Sequence, residues 1–461
     1  MTTIYDELYN IVQDKERILV GSEIEDKYLS DVLGHKKGHA EAVVFPLNTT
    51  EVSAILKYAY ANSIPITPRG AGTNLVGSTV PLLGGIVLDL SKMNKVLEID
   101  RSTLTATVEP GVILGEFQEL VESQGLFYPP DPGDKEASIG GNISTNAGGM
   151  RAVKYGVTRD YVRGLELVLA NGDIVTVGSK NVKDSSGLAL KDLVIGSEGT
   201  LAIITKCILR LIAKPEKTVS VLISYPDLQI GIESVLAILH SNVQPTALEF
   251  MENSVVALGE AYTGLKLPVS EAEAYLLIII DGSEAEIAGH IEQLRTVADR
   301  SGAVGFLPLG AETAADVWTL RGSLVKAVEQ YSEQEPVDIV VPIDKSAEFI
   351  AFVHEFEKQC GMQMVAFGHA GDGNVHLCVV RGDRTEEAWR TELDANMAVV
   401  YQKAAELGGL PSGEHGIGIA KQIHYHHVMN NENLQVMQRI KKAFDDKGIL
   451  NAHKSYQNLP G

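Results

Sequence analysis

The residues best suited to chemistry lie in Ala366-Phe367-Gly368-His369-Ala370-Gly371-Asp372-Gly373-Asn374-Val375-His376-Leu377. Two histidines flank a tight turn of Gly, Asp and Asn, with apolar, strand-like residues on either side. Further along comes Gly413-Glu414-His415-Gly416, a second glycine-framed loop. His369, His376 and Glu414 could supply two imidazoles and one carboxylate. That set leaves positions on a divalent metal open for a substrate, and Zn²⁺, Fe²⁺ and Mn²⁺ all accept it. His415 would stand beside the site as a free imidazole, able to take a proton near neutral pH. The competing reading is two satisfied histidines beside a turn. His424, His426 and His427 form a further cluster, but the adjacent pair would point apart on a helix and reads as surface.

The elements that must position these residues follow from composition and pattern. A chain of 461 residues predicts two or three domains, each with its own core. Lys and Arg number 39 and Asp and Glu 60, so the net charge is −21. Such acidity argues against nucleic acid and anionic membrane as partners, and is compatible with docking to a basic patch on another protein. Cys207, Cys360 and Cys378 form no Cys-x-x-Cys pair, which argues against iron–sulfur ligation and a disulfide framework. The N-terminus lacks the basic and apolar regions of a signal peptide, and the longest apolar run, Tyr275 to Ile280, is too short to span a bilayer. A soluble cytoplasmic protein is expected, with an oligomer left open.

Residues 1 to about 40 read as polar and helical, with Ile4, Leu8, Ile11 and Val12 at helical spacing. Ala42 to Phe45 predicts a buried strand, Glu51 to Asn62 an amphipathic helix capped by Thr50, and Ile64 to Thr67 a second strand. Lys95–Ile99 with Thr105–Val108 reads as a hairpin, as does Val162–Leu169 with Ile174–Val177 across Asn171-Gly172. The stretch from Tyr128 to Arg151 reads as one long functional loop. Composition changes at Lys214-Pro215. Beyond it strands alternate with longer helices, which predicts an α+β domain with an open, largely antiparallel sheet.

Four loops of the first half are dense in glycine: Arg69-Gly70-Ala71-Gly72-Thr73-Asn74, Asp131-Pro132-Gly133, Ser138 to Gly149, and Gly196-Ser197-Glu198-Gly199-Thr200-Leu201. Consecutive amides in such loops can form a nest for phosphate, although any one alone could be a structural turn. There is no Rossmann fingerprint and no Walker loop. Together the loops could cradle a large polar cofactor.

Pro68 to Asn74, Pro129-Pro130-Asp131-Pro132, Gly140-Gly141-Asn142 and Gly196 to Thr200 resemble the flavin-binding domain of the vanillyl-alcohol-oxidase-type oxidoreductases. Gly368 to His376 and Gly413-Glu414-His415-Gly416-Ile417-Gly418 resemble the D-2-hydroxy-acid dehydrogenases of that family, the D-lactate, D-2-hydroxyglutarate and glycolate group. The resemblance runs from about Val43 to Lys454. It implies an FAD-binding domain of two α/β subdomains over 1–214, a substrate or cap domain over 215–410, and a C-terminal segment over 411–461 that returns to the FAD domain. It implies FAD with its pyrophosphate on Arg69, Gly70, Ala71, Gly72, Thr73 and Asn74. Pro130, Asp131, Ser138, Gly141, Asn142, Thr145, Gly196, Glu198, Gly199, Ile203 and Asn451 are implied as further cofactor contacts. Thr73 and Asn74 stand where covalent members carry a histidine, so non-covalent FAD is expected. The family's C-terminal Asn-Pro-Gly-Lys is Asn451-Ala452-His453-Lys454 here, which loses the Pro-Gly turn.

By the same resemblance His369, His376 and Glu414 are metal ligands, His415 is the active-site base and Arg321 grips the substrate carboxylate. A surface ion pair with Asp316 or Glu312 is the alternative for Arg321. Gly322, Val325 and a strand read as apolar, Asp338-Ile339-Val340-Val341-Pro342, stand where dicarboxylate-specific members carry polar residues, which favours a monocarboxylate such as D-lactate. The implied reaction is oxidation of a D-2-hydroxy acid to the 2-oxo acid. Electrons would leave to an electron-transfer flavoprotein, an iron–sulfur subunit or a quinone. The alternatives are a glycolate or D-2-hydroxyglutarate dehydrogenase, a non-catalytic flavin-binding subunit of a larger complex, or an oxidase using oxygen directly.

Overall fold

A computed structural model describes residues 3–34, 36–269 and 272–457. The chain divides into two compact units. The first comprises Met1–Gly148, Val157–Lys214 and Glu414–Gly461, and the second Gly149–Gly156 and Pro215–Gly413.

The first unit holds two principal sheets. In one the strand order is Ile18–Val20, Ala42–Val44, Ile86–Asp89, Ile66–Arg69. Ala42–Val44 and Ile66–Arg69 both run parallel to Ile86–Asp89. Parallel strands need a crossover, and the helix Thr49–Asn62 supplies it. Its cap is Asn48, whose side chain accepts from the Glu51 amide at 3.0 Å, so the helix starts earlier than the sequence suggested. Thr50, the expected cap, lies inside the first turn, and Thr49 turns its hydroxyl to Glu166 at 2.6 Å. The expected helical N-terminus is also shorter. Its apolar repeat stops at Val12, and the α-helix Ile4–Val12 stops there too. Ile18–Val20 then pairs antiparallel with Ala42–Val44.

The other sheet is antiparallel, in the order Val96–Asp100, Thr105–Val108, Ile203–Arg210, Val162–Val168, Ile174–Gly178. The C-terminal segment is built into this unit. The Ile66 amide donates to the Ile449 carbonyl and the Asn451 amide to the Ile66 carbonyl, both at 2.8 Å. Leu450 is buried among Ile55, Ile66, Leu88 and Ile203.

In the second unit the apolar run Tyr275 to Ile280 is the middle of a sheet covered on both faces. The seven antiparallel strands run Gly305–Pro308, Lys217–Tyr225, Ala274–Gly282, Ala247–Glu252, Met364–His369, Asn374–Val380, Gln334–Val340. Leu276, Ile278 and Ile280 face a core built with Leu228–Leu239, Glu284–Arg300, Ser346–Cys360 and Glu386–Glu406. Tyr275 and Leu277 face the helices Asn253–Thr263, Ala311–Gly322 and Leu324–Tyr331. Side chains alternate between faces along a strand, so a doubly covered strand must be apolar at every position. The architecture is the expected α+β one.

The Tyr128–Arg151 stretch is not one loop. Ser138 caps a two-turn helix, Ile139–Thr145, by accepting from the Gly141 amide at 3.3 Å. The following Gly149–Gly156 belongs to the second unit, where its helix Ala152–Tyr155 is tied to buried Asp281. The Lys154 ammonium pairs with that carboxylate and donates to the Asp281 carbonyl at 3.0 Å, and the Tyr155 hydroxyl donates to Oδ2 at 3.0 Å.

Candidate active site

His369 and His376 stand on the two strands of one hairpin, with His369 paired to Asn374 and Phe367 to His376. The turn between them needs Gly373 at φ 81°, and the Asp372 carboxylate accepts from the Asn374 amide at 3.2 Å. Both imidazoles lie on the face of the sheet that also carries Glu249, Phe367 and the helix of Arg321, since Leu248, Phe250, Val375 and Leu377 fill the opposite core.

Their Nε2 atoms are 3.4 Å apart, with the ring planes at 85°. Two nitrogens held at about 2.1 Å by one tetrahedral cation stand about 3.4 Å apart, so the pair fits shared coordination. What fixes this orientation lies behind the rings. Glu249 sits directly opposite His369 on the neighbouring strand, and its Oε1 is 2.7 Å from Nδ1. That contact places a proton on Nδ1 and turns Nε2 toward His376. Oε2 of the same carboxylate accepts from Nε and Nη2 of Arg321, at 3.1 and 2.6 Å. The guanidinium also lies over the Phe367 ring, 5.0 Å from its centroid. Glu249 is fully buried. Burial opposes its ionisation, yet the charges of His369 and Arg321 and their hydrogen bonds hold the carboxyl below its usual range.

Asp338 is the carboxylate behind His376, but beyond hydrogen-bond distance. It is opposite His376 in register, fully buried, with Oδ1 4.0 Å from Nδ1. It also accepts from Asn374 Nδ2 at 2.7 Å, the Ser412 hydroxyl at 2.8 Å and the Gly413 amide at 3.1 Å. A buried carboxylate therefore lies beyond each histidine, one on each flanking strand. Neither Glu249 nor Asp338 was identified in the sequence. The available signal was an acidic residue inside an otherwise apolar strand, which must have a partner once buried.

Glu414 and His415 open the last segment of the first unit. Glu414 lies over Gly148, where a Cβ would come 3.1 Å from its Oε2. The Asn74 side chain donates to the His415 carbonyl at 3.4 Å. Glu198 fixes the residues that follow, accepting from the Ile417 and Gly418 amides at 3.0 and 2.8 Å, and from the Ser78 hydroxyl. Asn451 donates to the carbonyls of Ser78 and Glu198 at 2.9 and 2.7 Å. Lys454 donates to the Ser78 carbonyl at 2.8 Å and to the Asn451 side chain. Burial pulls the Lys454 amine down to about 7, with Glu198 acting in the opposite sense. Glu198 and Asn451 thus spend their polar atoms on protein and hold the cofactor loops together.

The first unit also contains a cradle fit for a large anionic cofactor. Among the described residues no protein group accepts from the amides of Gly72, Thr73 and Asn74. Arg69 Nη1, Thr79 Oγ1, Ser197 Oγ and the Tyr128 hydroxyl are buried without a hydrogen-bond partner in the protein. Polar groups so placed require a ligand or water. Arg69 is buried over the Tyr28 ring, with Nε 3.6 Å from Asp89 Oδ2. Ser138 Oγ joins two of the loops, accepting from Ala71 at 3.3 Å as well as from Gly141. The Gly196 amide donates to the Ile143 carbonyl at 3.0 Å and that of Glu198 to the Ser144 carbonyl at 2.7 Å. Those bonds lock the 196–199 loop to the helix bearing Asn142 and Thr145, whose hydroxyl bonds the Gly141 carbonyl at 3.3 Å. Gly199 packs against the ring of Pro68, and buried Ile203 opens the strand beyond. Pro130 accepts from Gln118 at 2.9 Å, and Asp131 pairs with Lys135.

Residues 40–178 match the FAD binding domain family, and residues 214–455 match the C-terminal domain of FAD linked oxidases. The fold is shared with p-cresol methylhydroxylase (TM-score 0.81, 18% identity, 98% of this chain and 96% of that one). It is also shared with 4-ethylphenol oxidase from Gulosibacter chungangensis (TM-score 0.77, 21% identity, 99% and 97%). A D-lactate dehydrogenase of Anaerostipes hadrus is 41% identical over 450 residues, covering 95% of this chain and 94% of that protein. Glycolate oxidase subunit GlcD of Bacillus subtilis is 39% identical, covering 93% and 92%. A probable mitochondrial D-2-hydroxyglutarate dehydrogenase of Oryza sativa subsp. indica is 32% identical, covering 96% and 79%. The FAD-binding domain and its cradle define a flavin-dependent oxidoreductase. The chain belongs to the FAD-linked oxidases of the vanillyl-alcohol-oxidase type.

Proposed function

We propose that the protein oxidises a small D-2-hydroxy acid, D-lactate in the first instance, to the 2-oxo acid, with FAD bound non-covalently. The observation that carries this reading is the imidazole pair, Nε2 atoms 3.4 Å apart, with Glu249 joining one imidazole to Arg321. A cation-ready pair and a fixed guanidinium are the two grips that a 2-hydroxy carboxylate offers. The similarity to a D-lactate dehydrogenase at 41% identity supports the same substrate class.

His369, His376 and Glu414 hold the divalent metal in this reading. Bound there, the metal supplies Lewis acidity toward the substrate hydroxyl, while FAD supplies the hydride acceptor. Arg321 binds the carboxylate. Its Nε and one face of Nη2 are taken by Glu249, which leaves Nη1 and the second Nη2 hydrogen for the substrate. Holding the carboxylate fixes which face of Cα is presented for hydride loss. His415 takes the hydroxyl proton on an imidazole nitrogen. The substrate loses one proton and one hydride, and the carbonyl forms. Glu198 and Asn74 keep the His415 loop in place through the Ile417 and Gly418 amides and the His415 carbonyl.

The substrate is read as a monocarboxylate. Gly322 and Val325 follow Arg321, and Asp338 is engaged by Asn374, Ser412 and Gly413. The similarity to a glycolate oxidase subunit supports a glycolate-oxidising member of a complex as the second reading, with a protein acceptor or a quinone taking the electrons. An anaerobic flavin-reduction screen over D- and L-lactate, glycolate and D-2-hydroxyglutarate tests the assignment. Bleaching fastest with D-lactate is expected. Bleaching by L-lactate alone, or by none of the four, would overturn it.

A further inference from the structure

Glu249 divides its two oxygens between two functional groups. Oε1 is 2.7 Å from His369 Nδ1, and Oε2 takes Arg321 Nε and Nη2 at 3.1 and 2.6 Å. The side chain is 1% exposed, so water does not compete for either oxygen. Each partner also has a far side: the His369 Nε2 atom is 3.4 Å from that of His376, and Arg321 bonds Glu249 through Nε and Nη2 only. His369 presents Nε2 to His376, and Arg321 presents Nη1.

We infer that Glu249 is a positioning residue that couples these two ends, so that a divalent cation on the imidazole pair releases Arg321 toward a substrate carboxylate. The inference rests on the metal and arginine roles proposed above and adds their coupling. A cation at Nε2 draws electron density from the imidazole, which makes Nδ1–H a stronger donor to Oε1. The shared carboxylate then has less charge to offer Arg321 through Oε2. The guanidinium turns to the next carboxylate that arrives, the substrate's. Without the cation, Glu249 neutralises Arg321 and the carboxylate grip is weak. Linkage requires the reverse effect too: a bound monocarboxylate must tighten the cation by the same factor.

The test uses the FAD-loaded protein stripped with a chelator, titrated calorimetrically with Mn²⁺ and, separately, with pyruvate. The parent, Glu249→Gln and Arg321→Gln are compared. In Glu249→Gln the Mn²⁺ affinity should fall by about 10-fold or more, as when an outer-shell partner of a ligating histidine is lost. Pyruvate should bind the metal-free variant more tightly than the metal-free parent, because an amide no longer neutralises Arg321. The two changes have opposite signs. Weakening of both, which a purely structural role would give, would overturn the inference. Arg321→Gln leaves the buried carboxylate in place and should raise Mn²⁺ affinity although Arg321 is not a ligand. An unchanged value would also overturn the coupling. If the parent binds no Mn²⁺, the metal reading itself fails and the coupling with it. If the parent binds Mn²⁺ and pyruvate independently, the coupling alone fails. Flavin absorbance and the melting curve report whether each variant is folded.

Discussion

The carboxylate of Glu249 lies 2.7 Å from Nδ1 of His369, in direct register on the adjoining strand although the two residues are 120 positions apart. That contact turns a histidine beside a hairpin turn into an oriented imidazole, which the proposed reading uses as a metal ligand. Because Glu249 also holds Arg321, the consequences extend from metal retention to substrate binding and to the stability of the second unit.

Removing one imidazole should separate metal from flavin. His376→Ala is expected to lose bound metal while FAD stays, since the flavin cradle lies in the first unit. Turnover with D-lactate should fall on the order of a thousandfold, the scale of losing several kcal/mol of charge stabilisation. Metal analysis and flavin absorbance on one preparation check this.

Arg321→Ala should cost stability as well as activity. It leaves the fully buried Glu249 without its cation, and breaking a buried pair from one side costs about 3–5 kcal/mol. Chemical denaturation followed at the Trp318 and Trp389 fluorescence should show the second unit unfolding earlier, with flavin release lagging behind.

Asp338→Asn should loosen His376 without removing a ligand. The amide keeps the shape but loses the charge 4.0 Å from Nδ1 and presents a donor to the Ser412 hydroxyl or the Gly413 amide. Metal affinity should fall about tenfold. A chelator competition at fixed pH measures it, and Asp338→Glu should not restore it, because a longer side chain cannot keep the bonds to Asn374, Ser412 and Gly413 in the same place.

Lys454 gives a pH signature. Its folded amine titrates near 7, below the 10.5 of an exposed lysine, because burial disfavours the cation. The folded state therefore binds fewer protons than the unfolded one between these values. This contribution to stability rises with pH from about 7 toward 10.5, and the penalty is fully present below 7. Lys454→Met should remove that dependence. Urea midpoints of parent and variant should converge, or the parent overtake, as pH rises through this window.

The hairpin bearing His369 and His376 was legible in the sequence because its strands and turn are contiguous. Asp372 and Gly373 carry the turn chemistry themselves. The strand, helix and strand of the first unit could be read from one amphipathic helix between two short apolar runs, but their parallel pairing to Ile86–Asp89 came from the fold. Glu249 and Asp338 could not be assigned, since their partners depend on strand order, which places 247–252 and 334–340 on either side of the hairpin. Arg321 showed the same limit: Glu312 and Asp316 are its neighbours along the helix, but its partner is on the sheet. The loop reading ended at Arg151 and kept the following residues in the first domain, whereas Lys154 and Tyr155 tie 149–156 to Asp281 in the second unit.

The most direct test of the central claim is the anaerobic reduction of the bound flavin by D-lactate before and after metal removal. The account predicts rapid bleaching in the metal-loaded protein and none after chelation, with FAD still bound and bleaching restored when Zn²⁺ or Mn²⁺ is returned. Undiminished bleaching in the chelated protein and in His376→Ala would contradict it.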